Sequence, residues 1–421
     1  MSFPRFVWLL LCLGLRVAAV GQALTPAPVQ TGPFALVRAG RKQATVPVQL
    51  QRNLVVVSGS LNGQGPYNFI LDTGVGMSII TSAGLADSLG LRHGQLFRVV
   101  GAGGNDTGLL AYQTDSVRVE LPGAVAPRMS WLVLSEDVLN LSGYVGVPIH
   151  GILGSELFRS FVVTLRPEAG QLILTPPATF RAPRGRKWAS LPLSLENQKA
   201  YFTAQVQLTD SLALPLKLVL DTGASHALSL ELDSDPRLVA PPQRFATELG
   251  QGLTGVVQGY LGRVPTLRLG RYALRSVLTS YPNAADVHRR VDVPRNGNVG
   301  YELLKRFALI VDYPHRRLLL RPNARFRDAF EHDMCGIELL ATGADLRRFV
   351  ILRVVPNSPA SLAGLEPEEE LLNINFLPVS NLNLTQLSLL LRSGDGRSLL
   401  LLLRRPNGEL HTTVVKLKRQ I

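Results

Sequence analysis

Two short segments place a carboxylate, a hydroxyl and a glycine between apolar runs. Residues 69–80 read FILDTGVGMSII around Asp72, Thr73 and Gly74, and residues 218–228 read LVLDTGASHAL around Asp221, Thr222 and Gly223. The two aspartates are 149 positions apart. A lone Asp-Thr-Gly is ordinary turn composition. Here each copy also has a downstream partner, Ile152-Leu153-Gly154 after the first and Asn298-Val299-Gly300 after the second, 80 and 77 positions beyond the motif glycine. That recurrence marks a repeated supersecondary unit. Two carboxylates held about 3 Å apart cannot both ionise cheaply, so one pKa rises and the pair shares a proton. The ionised member can draw a proton from a water, while the protonated member donates to a carbonyl oxygen. This chemistry requires no metal and no covalent intermediate, and the sequence shows no Cys/His spacing suited to zinc.

At these residues, over roughly positions 45 to 323, the chain resembles the aspartic proteases of the pepsin and retropepsin kind, in particular retropepsin-like proteins with two such units in one chain. The resemblance implies a mainly β fold: two tandem retropepsin-like acid-protease β-barrel lobes related by pseudo-twofold symmetry. It implies that Asp72 and Asp221 are the catalytic pair and that Thr73 and Thr222 reach across the axis to lock the two loops. Gly74 and Gly223 would let the backbone turn beside the carboxylates without a Cβ. Ser225 stands at the fifth position of its motif, where the family usually carries a polar side chain that steadies the loop. The first motif has Gly76 there, after Val75, and Ser78 is the nearest replacement. His226 reads as a surface or packing histidine, because the shared-proton mechanism has no required imidazole.

Stepping outward, alternating apolar runs predict strands at 46–50, 54–61, 67–71, 116–121 and 129–134 in the first unit, with a helix over 82–90. Strands at 162–165 and 171–174 close that unit. The second repeats the order with strands at 201–208, 214–220 and 266–269, then 308–313 and 317–320. Segments 155–161 and 301–307 are matching short helices. Glycine-rich stretches at 99–108, with Gly101, Gly103 and Gly104, and at 250–259, with Gly252 and Gly255, fall where flexible hairpins would cover a bound substrate. The first lacks both the Lys-Ser/Thr ending and the strand-to-helix setting of a phosphate loop.

The domain reading is residues 1–23 signal peptide, 24–44 flexible lead-in, 45–178 first lobe, 179–188 linker, 189–323 second lobe and 330–421 a PDZ-like α/β domain. Residues 1–23 combine Arg5, an apolar stretch over 6–15 and small residues before position 24, as an export signal does, so the chain is expected to be periplasmic or secreted. The formal charge of +13 is dispersed, without the basic runs or aromatic interleaving of a nucleic-acid binder. Cys335 is the only cysteine beyond the leader, which excludes an internal disulfide in a processed chain.

Beyond residue 330, the segments 350–355, 356–365, 371–375, 399–404 and 412–417 resemble the PDZ domains of bacterial proteases. Met334 leads into Cys335-Gly336-Ile337-Glu338-Leu339, which by that resemblance is the loop that captures a peptide carboxylate. Glu368-Glu369 stands where the family usually has Gly-Asp. The expected function is an aspartic-type endopeptidase: a monomer without cofactor, its two lobes paired within one chain. Its partners are a peptide or protein substrate and a C-terminal peptide at the PDZ-like domain. A non-catalytic peptide-binding protein on the same fold, and lobes that pair between chains, remain alternatives.

Overall fold

The computed structural model describes residues 31–99, 103, 108–252, 255–287 and 293–421. The leader at 1–23 and the flap residues Gly101 and Gly104 lie outside the described residues. The architecture is mainly β, in two lobes followed by a smaller sheet domain. The lobes share one contiguous apolar core that includes Phe69, Trp131, Phe158, Phe202, Tyr301 and Phe307.

Each lobe repeats the same arrangement. In the first, Gln64–Leu71 runs parallel to Gly151–Leu153, which pairs antiparallel with Ile79–Ile80. In the second, Ala213–Leu220 runs parallel to Gly297–Val299, which pairs antiparallel with Leu228–Leu230. Buried runs such as Phe69-Ile70-Leu71 and Leu218-Val219-Leu220 are apolar on both faces because other strands or the core cover both sides. Each Asp-Thr-Gly turn leaves the end of such a strand, so its position is set by the sheet.

The strands expected to close each lobe form a sheet shared by both. Six strands run in the order Ala189–Pro192, Arg317–Pro322, Phe307–Asp312, Val162–Arg166, Gln171–Thr175 and Ala44–Gln51. The lobes join where Val163 pairs with Val311 and Leu165 with Leu309. Residues 179–188, read as a linker, strap across this sheet: Phe180, Ala182 and Trp188 pack on Val162, Ile310 and Leu319. The described part of the lead-in, residues 31–44, is also more ordered than its composition suggested. Phe34 is buried, and Ala35–Leu36 adds to Ala124–Leu134, because one large aromatic side chain offsets the entropy of ordering a short segment.

The C-terminal domain orders Ile337–Thr342, Arg348–Val354, Glu370–Ile374, Ser398–Arg404 and Leu410–Lys416, with the helix Leu384–Leu390 beside the first strand. Its core of Ile337, Phe349, Leu371, Leu387 and Leu399 is separate from that of the lobes. Glu368 adopts the positive φ of +71° for which glycine is usual, and the buried Glu369 carboxylate accepts from the Glu366 N–H and meets His411 at 2.7 Å.

Candidate active site

The two motif turns meet at the lobe junction. The Thr73 hydroxyl donates to the Leu220 carbonyl at 2.6 Å and accepts from the Thr222 N–H at 3.0 Å. The Thr222 hydroxyl returns both bonds, donating to the Leu71 carbonyl at 2.8 Å and accepting from the Thr73 N–H at 3.1 Å. Both threonines are fully buried. Losing either hydroxyl would leave buried backbone groups unpaired at about 1–3 kcal/mol each, so the four bonds fix one turn against the other.

This lock presses the carboxylates together. The Asp72 carboxyl accepts from the Gly74 N–H at 2.6 Å and is hydrogen-bonded to the Asp221 carboxyl. Burial first, and the Asp221 charge second, push the Asp72 carboxyl up to about 8. Glycine is required here. A Cβ on Gly223 would lie 2.2 Å from Asp72 Cγ, and one on Gly74 would lie 3.0 Å from Asp221 Oδ1.

The supports of the two carboxylates differ. Behind the first turn, the buried Glu156 accepts from the Ser78 N–H at 3.0 Å and hydroxyl at 2.9 Å, while Ser78 Oγ accepts from the Gly154 N–H at 2.9 Å. Burial raises the Glu156 pKa above the usual carboxylate range. In the second lobe Ala227 replaces Ser78, and Glu302 pairs instead with Lys305 and Arg306 at 2.5 and 3.1 Å. Asn298 fills a different role: its Nδ2 donates to Asp221 Oδ2 at 2.7 Å, and its Oδ1 faces His226 Nε2 at 3.2 Å. Burial lowers the His226 pKa, so the ring is neutral and its Nε2–H donates to Asn298. The relay His226–Asn298–Asp221 orients the second carboxylate. In the sequence Asn298 stands only as part of the segment downstream of the second motif and His226 reads as a surface or packing histidine; an amide where the first unit has an apolar residue was the available signal.

Of the expected site residues, Asp72, Thr73, Gly74, Asp221, Thr222 and Gly223 come together. Ser225 is exposed, and its carbonyl accepts from Asn53 Nδ2 at 3.2 Å. The two hairpin ends also meet: a Cβ on Gly103 would lie 2.3 Å from the Gly255 backbone, and Gly252 pairs with Gly255. Residues 335–339 lie in the C-terminal domain, at the start of the strand Ile337–Thr342. Among the described residues, no group of three or more His, Cys, Asp or Glu side chains is arranged to hold a metal ion.

Comparison with known proteins assigns classes to the parts of this arrangement. Residues 57–157 match the family model described as aspartyl protease, and residues 350–405 match that of the PDZ domain. The chain therefore carries an aspartyl protease domain followed by a PDZ domain. Two solved structures align with 68% of the chain. Basic 7S globulin from soybean is 9% identical over 97% of its own length, with a TM-score of 0.39. The aspartic proteinase from Irpex lacteus is 14% identical over 99% of its length, with a TM-score of 0.40. No curated protein sequence matches.

Proposed function

We propose that the chain is an aspartic-type endopeptidase in which Asp72 and Asp221 share one proton. The observation that carries this reading is the locked pair of turns, which holds two carboxyls in contact with the Asp72 pKa raised. The shared proton rests on Asp72, while Asp221, which receives the Asn298 N–H, is the ionised member. Asp221 takes a proton from a water lying between the pair as the water oxygen attacks the scissile carbonyl carbon. Asp72 gives its proton to the carbonyl oxygen, forming a neutral gem-diol. Asp221 then passes its proton to the amide nitrogen, the C–N bond breaks, and a gem-diol hydroxyl returns its proton to Asp72. The meeting ends of the two hairpins supply a cover that keeps bulk water out of the cleft.

The reading includes export, on the strength of residues 1–23; among the described residues no helix is long and apolar enough to cross a membrane. The test is cleavage of an unbiased peptide library across acidic to mildly alkaline pH, alongside Asp72→Asn and Asp221→Asn. The expected result is turnover in the native chain and none in either variant. Peptides bound but never cleaved by the native chain would establish the non-catalytic binding protein instead.

A further inference from the structure

The groove of the C-terminal domain lies between the free edge of Ile337–Thr342 and the helix Leu384–Leu390. A PDZ domain takes a peptide there, as an added strand whose carboxylate meets backbone N–H groups. In this chain both parts of that site are filled from within. The Gly336 N–H donates to Asp333 Oδ2, and the nearby N–H groups of Cys335 and Ile337 also favour the charged form of that carboxyl. Along the groove lies the turn Arg52-Asn53, whose residues have φ of +45° and +63° and which joins the first-lobe strands Ala44–Gln51 and Leu54–Leu61. The Arg52 N–H donates to Thr385 Oγ1 on the helix at 2.9 Å, and its guanidinium to the Leu339 carbonyl on the strand at 3.4 Å. The same guanidinium donates to the Tyr144 carbonyl at 3.2 Å, and charge attraction links it to Glu338 and Asp333. Thr385 donates in turn to Gln51 at 3.0 Å. The first-lobe helix Leu141–Val145 packs alongside, so closely that a Cβ on Gly143 would lie 2.9 Å from Leu340 Cδ1.

We propose that the ligand of this PDZ groove is the chain itself, Asp333 standing in for a peptide carboxylate and the Arg52 turn for the peptide, and that an incoming peptide carboxylate must displace both.

Displacement would be felt at the proposed active site by two routes. Asn53, the other half of the turn, donates to the Ser225 carbonyl in the second motif loop and accepts from Lys305 Nζ at 2.8 Å. Arg353 joins Glu338 of the groove strand at 3.1 Å to Glu248 of the second flap hairpin at 3.2 Å. Phe245 of that hairpin also packs against His332, next to Asp333, with the rings tilted 39° and their centroids 5.4 Å apart. The occupied groove thus holds one catalytic loop and one flap in place.

The occupancy is independent of the protease reading, and so is its test. Binding of two fluorescent peptide pools to the full chain is measured, one with apolar residues ending in a free carboxylate and one with the same residues amidated. The native chain should bind the free-carboxylate pool at least tenfold more weakly than Arg52→Ala does, whereas the amidated pool, which can reach only the cleft between the lobes, should bind both proteins alike. Thr385→Val, which removes the acceptor of the Arg52 N–H together with the donor to Gln51, should shift binding the same way and serves if Arg52→Ala does not fold. Hydrogen exchange should rise in residues 221–226 and 244–252 of the variants. Equal binding by native and variant chains, or binding by none, overturns the proposal, as does tighter variant binding with unchanged exchange in both segments. Loss of cleavage in every protein would refute the protease reading and leave these readouts untouched.

Discussion

At the residue scale, the raised pKa of Asp72 has a consequence for stability that is separate from catalysis. The folded carboxyl, at about 8, lies above its value of 3.8 in the unfolded chain. Between these values the unfolded chain holds fewer protons, so this group's stabilising contribution is full below the lower value and is lost as pH rises through the upper one. Each unit of difference is worth about 1.4 kcal/mol. Asp72→Asn should therefore unfold like the native chain near pH 4 and be more stable at pH 8 by at least about 2 kcal/mol, read from paired denaturant titrations. Asn298 offers the complementary test. Its Nδ2–H donates to Asp221 Oδ2 and fixes the orientation of that carboxyl. Asn298→Leu removes that donor and should lower turnover by about 10-fold or more with the KM for a peptide substrate near native, read from steady-state cleavage.

At the element scale, the turns tolerate change where space exists and nowhere else. Gly223→Ala would drive a Cβ to within 2.2 Å of Asp72 Cγ and should reduce turnover by about 100-fold or more, since small displacements of reacting groups carry that penalty. A Cβ on Gly76 meets nothing nearer than 3.4 Å, at Gln198. Gly76→Ser should leave turnover within about threefold of native, because Ser78 and Glu156 already brace that loop, in line with the small effect of unconstrained sites. Much of this level was legible in the sequence, because strand alternation, turn residues and repeated tripeptides are local signals. The strand Tyr272–Pro282 was not read, and Asn298 and Glu156 were not assigned to the site. The roles of Asn298 and Glu156 arise from partners 72 to 78 positions away that no local pattern encodes: Glu156 meets Ser78 across 78 residues, and Asn298 meets Asp221 across 77 and His226 across 72.

At the scale of the whole molecule, the antiparallel pairing of Val162–Arg166 with Phe307–Asp312 makes the lobes one cooperative body. Residues 31–176 produced alone would expose the edge of Val162–Arg166, with its apolar residues, as a template for another strand. Sedimentation of that fragment should show self-association that the full chain lacks; a fragment that stays monomeric at micromolar concentration would contradict this account. The shared sheet escaped the sequence reading because its strands look the same whether they close one lobe or join two. The docking of the PDZ domain escaped it too, since Arg52 and Asn53 read only as the gap between two strands. The reciprocal threonine bonds treat the two halves of the molecule alike, whereas the groups behind the aspartates do not: Ser78 and Glu156 support one side, His226 and Asn298 the other. A perfectly symmetric pair of carboxyls would accept a polypeptide equally well in either direction. On the proposed reading, this site presents different neighbours to the amino-terminal and carboxy-terminal sides of the bond between the aspartates, so a substrate would have one productive orientation, with the first and second lobes each meeting a different half of it.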